Sequence, residues 1–245
     1  MKERRKIYTS FHDLSPREYM YFPKGTLDIG KPGEFSRTEI THILIAMGVL
    51  TIAFSFTISK NNLFSGFNDI GSLLLSIPIS FLGIVTAFFV HELSHKFMAQ
   101  KYGLWSEFRM YPRGLLLSLV LAFLMGVPLA VPGAVMFRGE TRNFETGRIA
   151  AAGPSANIII AVITYVLYHF VFFEAGFIGK VLGFICLVNA LLGTFNLLPF
   201  GPLDGVKVIR WNGIVWSILL TISIILLVFI FYGGLPDFTS WFLSQ

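Results

Sequence analysis

Cysteine is nearly missing from this chain of 245 residues, with Cys186 standing alone. An internal disulfide is therefore excluded, and a place in an apolar helix assigns Cys186 to packing. Charge is also scarce. Only 13% of the residues are Asp, Glu, Lys or Arg, about half the share of a soluble globular domain. Histidine is limited to five, and His12, His42 and His169 are too scattered for the many-histidine site of a membrane di-iron enzyme. The chain has no internal repeat and no low-complexity tract. No apolar run follows the basic start of Lys2, Arg4, Arg5 and Lys6 closely enough to suggest a cleaved leader.

Apolar sequence fills the space that charge leaves. Hydrophobic residues make up 54% of the chain, with 26 Phe, and several runs reach the roughly 20 residues that cross a bilayer core. The pattern is that of an integral membrane protein, with the lipid bilayer as its medium. The net charge of +5 gives no reason to invoke nucleic acid, because the basic residues flank apolar runs, where they set orientation.

Residues 1–39 form a polar arm broken by Pro16, Pro23 and Pro32. Ser36 and Glu39 have the spacing of a capping box that opens a first span at about 40–59. A second apolar run covers about 70–95, and residues 104–113 alternate loosely enough for a short strand. The apolar stretch at 115–137 is interrupted by Pro128, Pro132 and Gly133, which makes a continuous helix awkward. Later spans are expected at about 145–173, 177–197 and 213–233. Placing the basic arm in the cytosol, and keeping Arg138, Arg142 and Arg148 there too, requires 115–137 to enter and return as a hairpin. The fold class expected is an all-α polytopic membrane protein of five transmembrane helices plus one re-entrant apolar hairpin, or alternatively six helices. A short membrane-associated strand completes the expectation. Residues 40–245 then form the membrane domain, multi-pass, with its chemistry toward the cytosol.

His91-Glu92-Leu93-Ser94-His95 ends the second apolar run. Residues four apart lie on one face of a helix, so two imidazoles there can hold one metal. A carboxylate beside them suits a metallohydrolase, and HExxH reads as two zinc ligands plus a general base. Ionisable groups are costly inside a span and mark function. With Lys96 as the polar boundary, the metal would lie roughly 7 Å inside it. A catalytic zinc takes a third protein ligand. Asp204 is a candidate, in the bend Asn196-Leu-Leu-Pro-Phe-Gly-Pro-Leu-Asp-Gly205, where it could equally cap a helix. Glu107, Glu140 and Glu145 are others, in loops among ordinary solvated charges.

Three motifs in order now carry a resemblance. HELSH behind an apolar span, Gly153-Pro154-Ser155-Ala156-Asn157 early in a later one, and Asn196-Leu197-Leu198-Pro199 with Leu203-Asp204-Gly205 resemble the site-2 protease family of intramembrane zinc metalloproteases. The resemblance covers a core of about 72–210. It implies a three-helix catalytic core, Zn2+ held by His91, His95 and Asp204, and Glu92 as catalytic base. It also implies Asn157 and Asn196 as supports for substrate or transition state, and a transmembrane protein as the substrate. The polar arm and the long apolar stretch at 115–137 depart from the family's pattern. The alternative is a non-proteolytic membrane metalloprotein, a zinc-site scaffold or transporter; Glu92 argues against it, since a structural site needs no carboxylate between the histidines.

Overall fold

A computed structural model describes residues 34–63, 70–128, 132–138, 141–170 and 176–234. His12, Glu140 and most of the polar arm lie outside the described residues. Eight helices and two strands follow in the order α1 (Arg37–Ser59), α2 (Ile70–Ile84), α3 (Val90–Lys101), β1 (Trp105–Met110), α4 (Pro112–Met125), β2 (Gly133–Arg138), α5 (Asn143–Phe170), α6 (Phe177–Asn196), α7 (Asp204–Trp211) and α8 (Gly213–Phe229). A π-helical turn, Val85–Phe89, joins α2 to α3, so Ile70–Lys101 is one helical rod of 32 residues.

Five helical segments are long and apolar enough to cross a membrane: Arg37–Ser59, Ile70–Lys101, Asn143–Phe170, Phe177–Asn196 and Gly213–Tyr232. The chain is a multi-pass membrane protein. Among the described residues there is no sixth such helix, because α4 has only 14 residues.

The stretch at 115–137 does turn back on itself. α4 lies along α1, where the Phe123 carbonyl accepts the Leu63 N–H at 2.9 Å and the Phe123 ring meets Phe56 edge-on at 5.7 Å. Gly126 ends the helix with φ +72° beside Asn62. The chain then returns as β2, antiparallel to β1, with Met110 opposite Gly133 and Trp105 opposite Arg138. It therefore emerges beside the point where it entered. Pro128 and Pro132 lie ahead of the second limb and keep α4 from continuing through it as one helix. Sequence patterning anticipates β1 but not its partner, which lies hidden in the apolar stretch.

Ser36 caps α1 as expected, its hydroxyl accepting the Glu39 N–H at 3.0 Å. The reciprocal half of the capping box does not form. Glu39 instead accepts the Phe108 N–H at 3.0 Å and makes an ion pair with Lys96. Lys96 also donates to the Glu34 carbonyl at 3.2 Å and lies over the Phe35 ring. At 1% and 0% exposure, Lys96 and Glu39 are interior residues. Lys96 is thus paired inside the protein rather than solvated, so its charge alone does not mark where the membrane ends. The next charge along α3 is exposed Lys101, ten residues beyond His91, or about 15 Å of helix.

Two apolar clusters hold the bundle. One joins α5, α6 and α8 through Tyr168, Phe184, Leu187 and Leu226, with Cys186 buried among them. The other joins α1, α2 and β1 through Ile43, Met47, Phe88 and Phe108. Ala99 and Leu104 pack on Ile149, so the start of α1, the end of α3 and the start of α5 meet at one end of the molecule.

Candidate metal centre

α3 presents His91 and His95 one turn apart on the side that faces α5. Gly153 lets α5 come close: a Cβ there would stand 2.5 Å from His95 Nε2 and 2.7 Å from His91 Nε2. The third group arrives from the bend after α6. Leu203 takes the cap position in an extended conformation, and Asp204 is the first residue of α7, so Asp204 is not the helix cap. Gly205 lies directly against the Leu197 and Leu198 carbonyls, where no side chain fits.

The three side chains converge. His91 Nε2 and His95 Nε2 are 3.0 Å apart, and Asp204 Oδ2 lies 2.9 Å from His95 Nε2 and 3.4 Å from His91 Nε2. Ligands about 2.05 Å from one tetrahedral ion stand about 3.3 Å from each other, close to these separations. All three residues are buried.

The far side of each imidazole fixes its tautomer. His95 Nδ1 is 2.7 Å from the Ile149 carbonyl, which can only accept, so Nδ1 carries the proton. His91 Nδ1 is 2.5 Å from Asn157 Oδ1 and donates in the same way. Both Nε2 lone pairs then face each other and a carboxylate oxygen, with no hydrogen between them. Such an arrangement repels itself unless a cation sits at its centre. Two imidazoles and one carboxylate are a zinc donor set. Burial works to raise the Asp204 carboxyl, but in the metal-free site protonated imidazoles, His95 and then His91, outweigh it and hold the group well below the usual carboxylate range. Lys207 Nζ, 3.3 Å from Oδ1, occupies the other carboxylate oxygen.

Glu92 Oε2 accepts the Val135 N–H of β2 at 3.0 Å, which ties the carboxylate to the returning strand. Asn157 is fully buried and lies behind His91. Its Nδ2 donates to the Ala87 carbonyl at 2.9 Å and to Asn189 Oδ1 at 3.2 Å, so its amide is committed to the protein rather than left free for substrate. Asn196 ends α6, donates to the Leu192 carbonyl at 3.1 Å, and makes no described contact with the three ligands. Glu107 pairs with Arg109 and Glu145 accepts the Arg142 N–H at 2.9 Å, neither joining the cluster. His169 stacks on Tyr165. Asn189, an asparagine inside the apolar α6 that the sequence reading passes over, touches Asn157.

The chain is similar to three curated proteins. It is 36% identical to "Putative zinc metalloprotease MJ0611" of Methanocaldococcus jannaschii, over 75% of this chain and 90% of the relative. It is 31% identical to "Putative zinc metalloprotease YwhC" of Bacillus subtilis, over 55% of this chain and 68% of the relative. A third, "Zinc metalloprotease MJ0392" of M. jannaschii, is 29% identical over 54% of this chain and 33% of its own length. No protein-family model matches, and no solved structure matches. The ligand cluster and these relatives agree on zinc as the cofactor, and the chain belongs to the zinc metalloprotease family that the first two represent.

Proposed function

We propose that this protein is an intramembrane zinc metalloendopeptidase of the site-2 protease kind, cleaving a peptide bond within a transmembrane segment. The observation that carries the reading is a convergent His91–His95–Asp204 cluster built on apolar helices, with Glu92 beside it on α3. In this reading His91, His95 and Asp204 hold the metal. Bound there, zinc would supply Lewis acidity, lowering the pKa of a water and polarising the scissile carbonyl. Glu92 takes the proton from the attacking water and returns it to the leaving amine. Its Oε2 is steadied by Val135, which leaves Oε1 for that transfer. Asn196 is the polar side chain left to support the transition state, since Asn157 is occupied with His91.

A substrate helix hides its carbonyls in its own hydrogen bonds, so it must unwind before it can react. An unwound segment can be held by strand addition. On the outer edge of β1 the Phe108 N–H is already bonded to Glu39. On the edge of β2 the Val135 N–H is likewise taken, by Glu92, but that edge lies beside the metal centre and is the better placed. In this reading the N-terminal arm and the ligand-bearing end of the bundle face the cytosol, the orientation that the basic residues favour. Cysteines at positions 113 and 142 in a Cys186→Ser background should both react with a cytosolic reagent; opposite labelling reverses the orientation.

The activity is tested by incubating the purified protein with transmembrane peptides, with and without a chelator, and mapping products by mass. Cleavage is expected inside the span, between its cytosolic end and its middle, faster near a helix-breaking residue, and absent in Glu92→Gln. Products cut only in external loops would mark a surface peptidase instead.

A further inference from the structure

We propose that Asn189 and Thr86 are positioning residues for the metal centre, acting on His91 through Asn157. The proposal rests on His91 being a zinc ligand. Asn189 is in α6 and fully buried, where an amide is costly unless every polar atom finds a partner. One partner is on its own helix, and the other two lie on a route that ends at His91. Its Nδ2 donates to the Ile185 carbonyl at 2.9 Å and to Thr86 Oγ1 at 3.2 Å, and its Oδ1 accepts from Asn157. Thr86 is in the π-helical turn before α3 and donates onward to the Leu82 carbonyl at 2.8 Å.

The chain has only one direction. Ile185 offers a carbonyl, which can only accept, so the NH2 of Asn189 must face it and Oδ1 must face Asn157. The NH2 of Asn157 then points at Asn189 and at the Ala87 carbonyl, and its Oδ1 points at His91. That leaves Nδ1–H on His91 and the Nε2 lone pair toward the metal. A flipped Asn157 would present hydrogens to Nδ1 and drive the ring proton to Nε2, where it blocks the metal. Ala87 alone resists the flip with one hydrogen bond. Asn189 adds a second, and Thr86 fixes Asn189.

The test measures zinc affinity by chelator competition, and the visible spectrum of the cobalt-substituted protein, on the full chain. Outer-shell partners of a ligand typically carry about 10–100-fold in metal affinity. One step further out, Asn189→Ala should weaken zinc by about tenfold and Thr86→Val by about threefold, each shifting the cobalt bands. Thr86→Ser should restore both. Thr194→Val removes a hydroxyl on the same helix, bonded to Ser223 at 2.7 Å, and should change neither. Wild-type affinity and spectrum in folded Asn189→Ala would overturn the proposal, as would an equal loss in Thr194→Val. Where Asn189→Ala does not fold, Thr86→Val and its serine rescue decide. His91→Ala stands apart: if it keeps full zinc, the ligand assignment fails, whatever Asn189 does.

Discussion

His95 and Lys96 are neighbours on α3, yet they enter two polar clusters held by opposite means. On the α5 side, three lone-pair groups converge and the protein supplies no positive charge between them. On the α1 side, Lys96 meets Glu39, a backbone carbonyl and an aromatic ring, and the charges balance without help. The first cluster is built to be completed from outside and the second is complete already. One helix can therefore carry a reactive centre because its next residue locks it to α1 and β1. The difference predicts that damage to the two clusters will look different.

The largest effect is expected on the incomplete side. His91→Ala, His95→Ala or Asp204→Ala should each lower zinc affinity by roughly a thousandfold or more, while Glu92→Gln keeps the metal and loses turnover. Metal analysis of each purified variant checks this, and full zinc in Asp204→Ala would remove it from the ligand set. Gly153→Ala leaves every ligand in place but puts a methyl against both imidazoles. It should empty the site in a protein that still folds, read by metal content beside a helical circular dichroism spectrum.

Acid should separate the clusters next. Protons and metal compete for the same lone pairs, so zinc affinity falls as the pH drops. Asp204, held below the ordinary carboxylate range, stays charged as the pH falls through that range, so protonation of the carboxylate is not what releases the metal. A titration in which zinc left in step with protonation of Asp204 would contradict this. The balanced pair fails by instability instead. Glu39→Leu or Lys96→Met alone should cost about 3–5 kcal/mol, while the double variant recovers part of that, short by about 1–3 kcal/mol for the Phe108 N–H that has lost its acceptor. Unfolding curves provide the measurement. The smallest effect belongs to Lys207→Met: its side chain is 43% exposed, and zinc affinity should move only a few-fold.

Legibility in the sequence followed the distance between partners. The i, i+4 spacing of His91 and His95 is local, and so is the bend that carries Asp204; both were readable. The five crossings and the returning hairpin were readable from apolar length and from where the arginines fall. Lys96 was not. A lysine after an apolar run has the pattern of a membrane boundary, and only the fold brings Glu39, 57 residues away, to meet it. Glu39 was likewise readable as half of a capping box, because Ser36 is local and Phe108 is not. Asn157 was readable as a polar group near the site, but its contact with His91, 66 residues away, was not. β2 escaped because a strand inside a long apolar stretch shows no alternation of its own.

The turn at Val85–Phe89 has one more consequence. Each residue added to a helix advances the direction of the next side chain by about 100°, and a π-helical turn acts as a one-residue insertion absorbed without a loop. Everything beyond it on the rod is rotated relative to the lipid-facing stripe of α2. α2 can thus keep the phase that suits the bilayer while α3 takes the phase that aims two imidazoles at α5. Remove one residue from the turn and the helix becomes regular, more conventional and misaimed: His91 and His95 would swing about 100° away from Asp204.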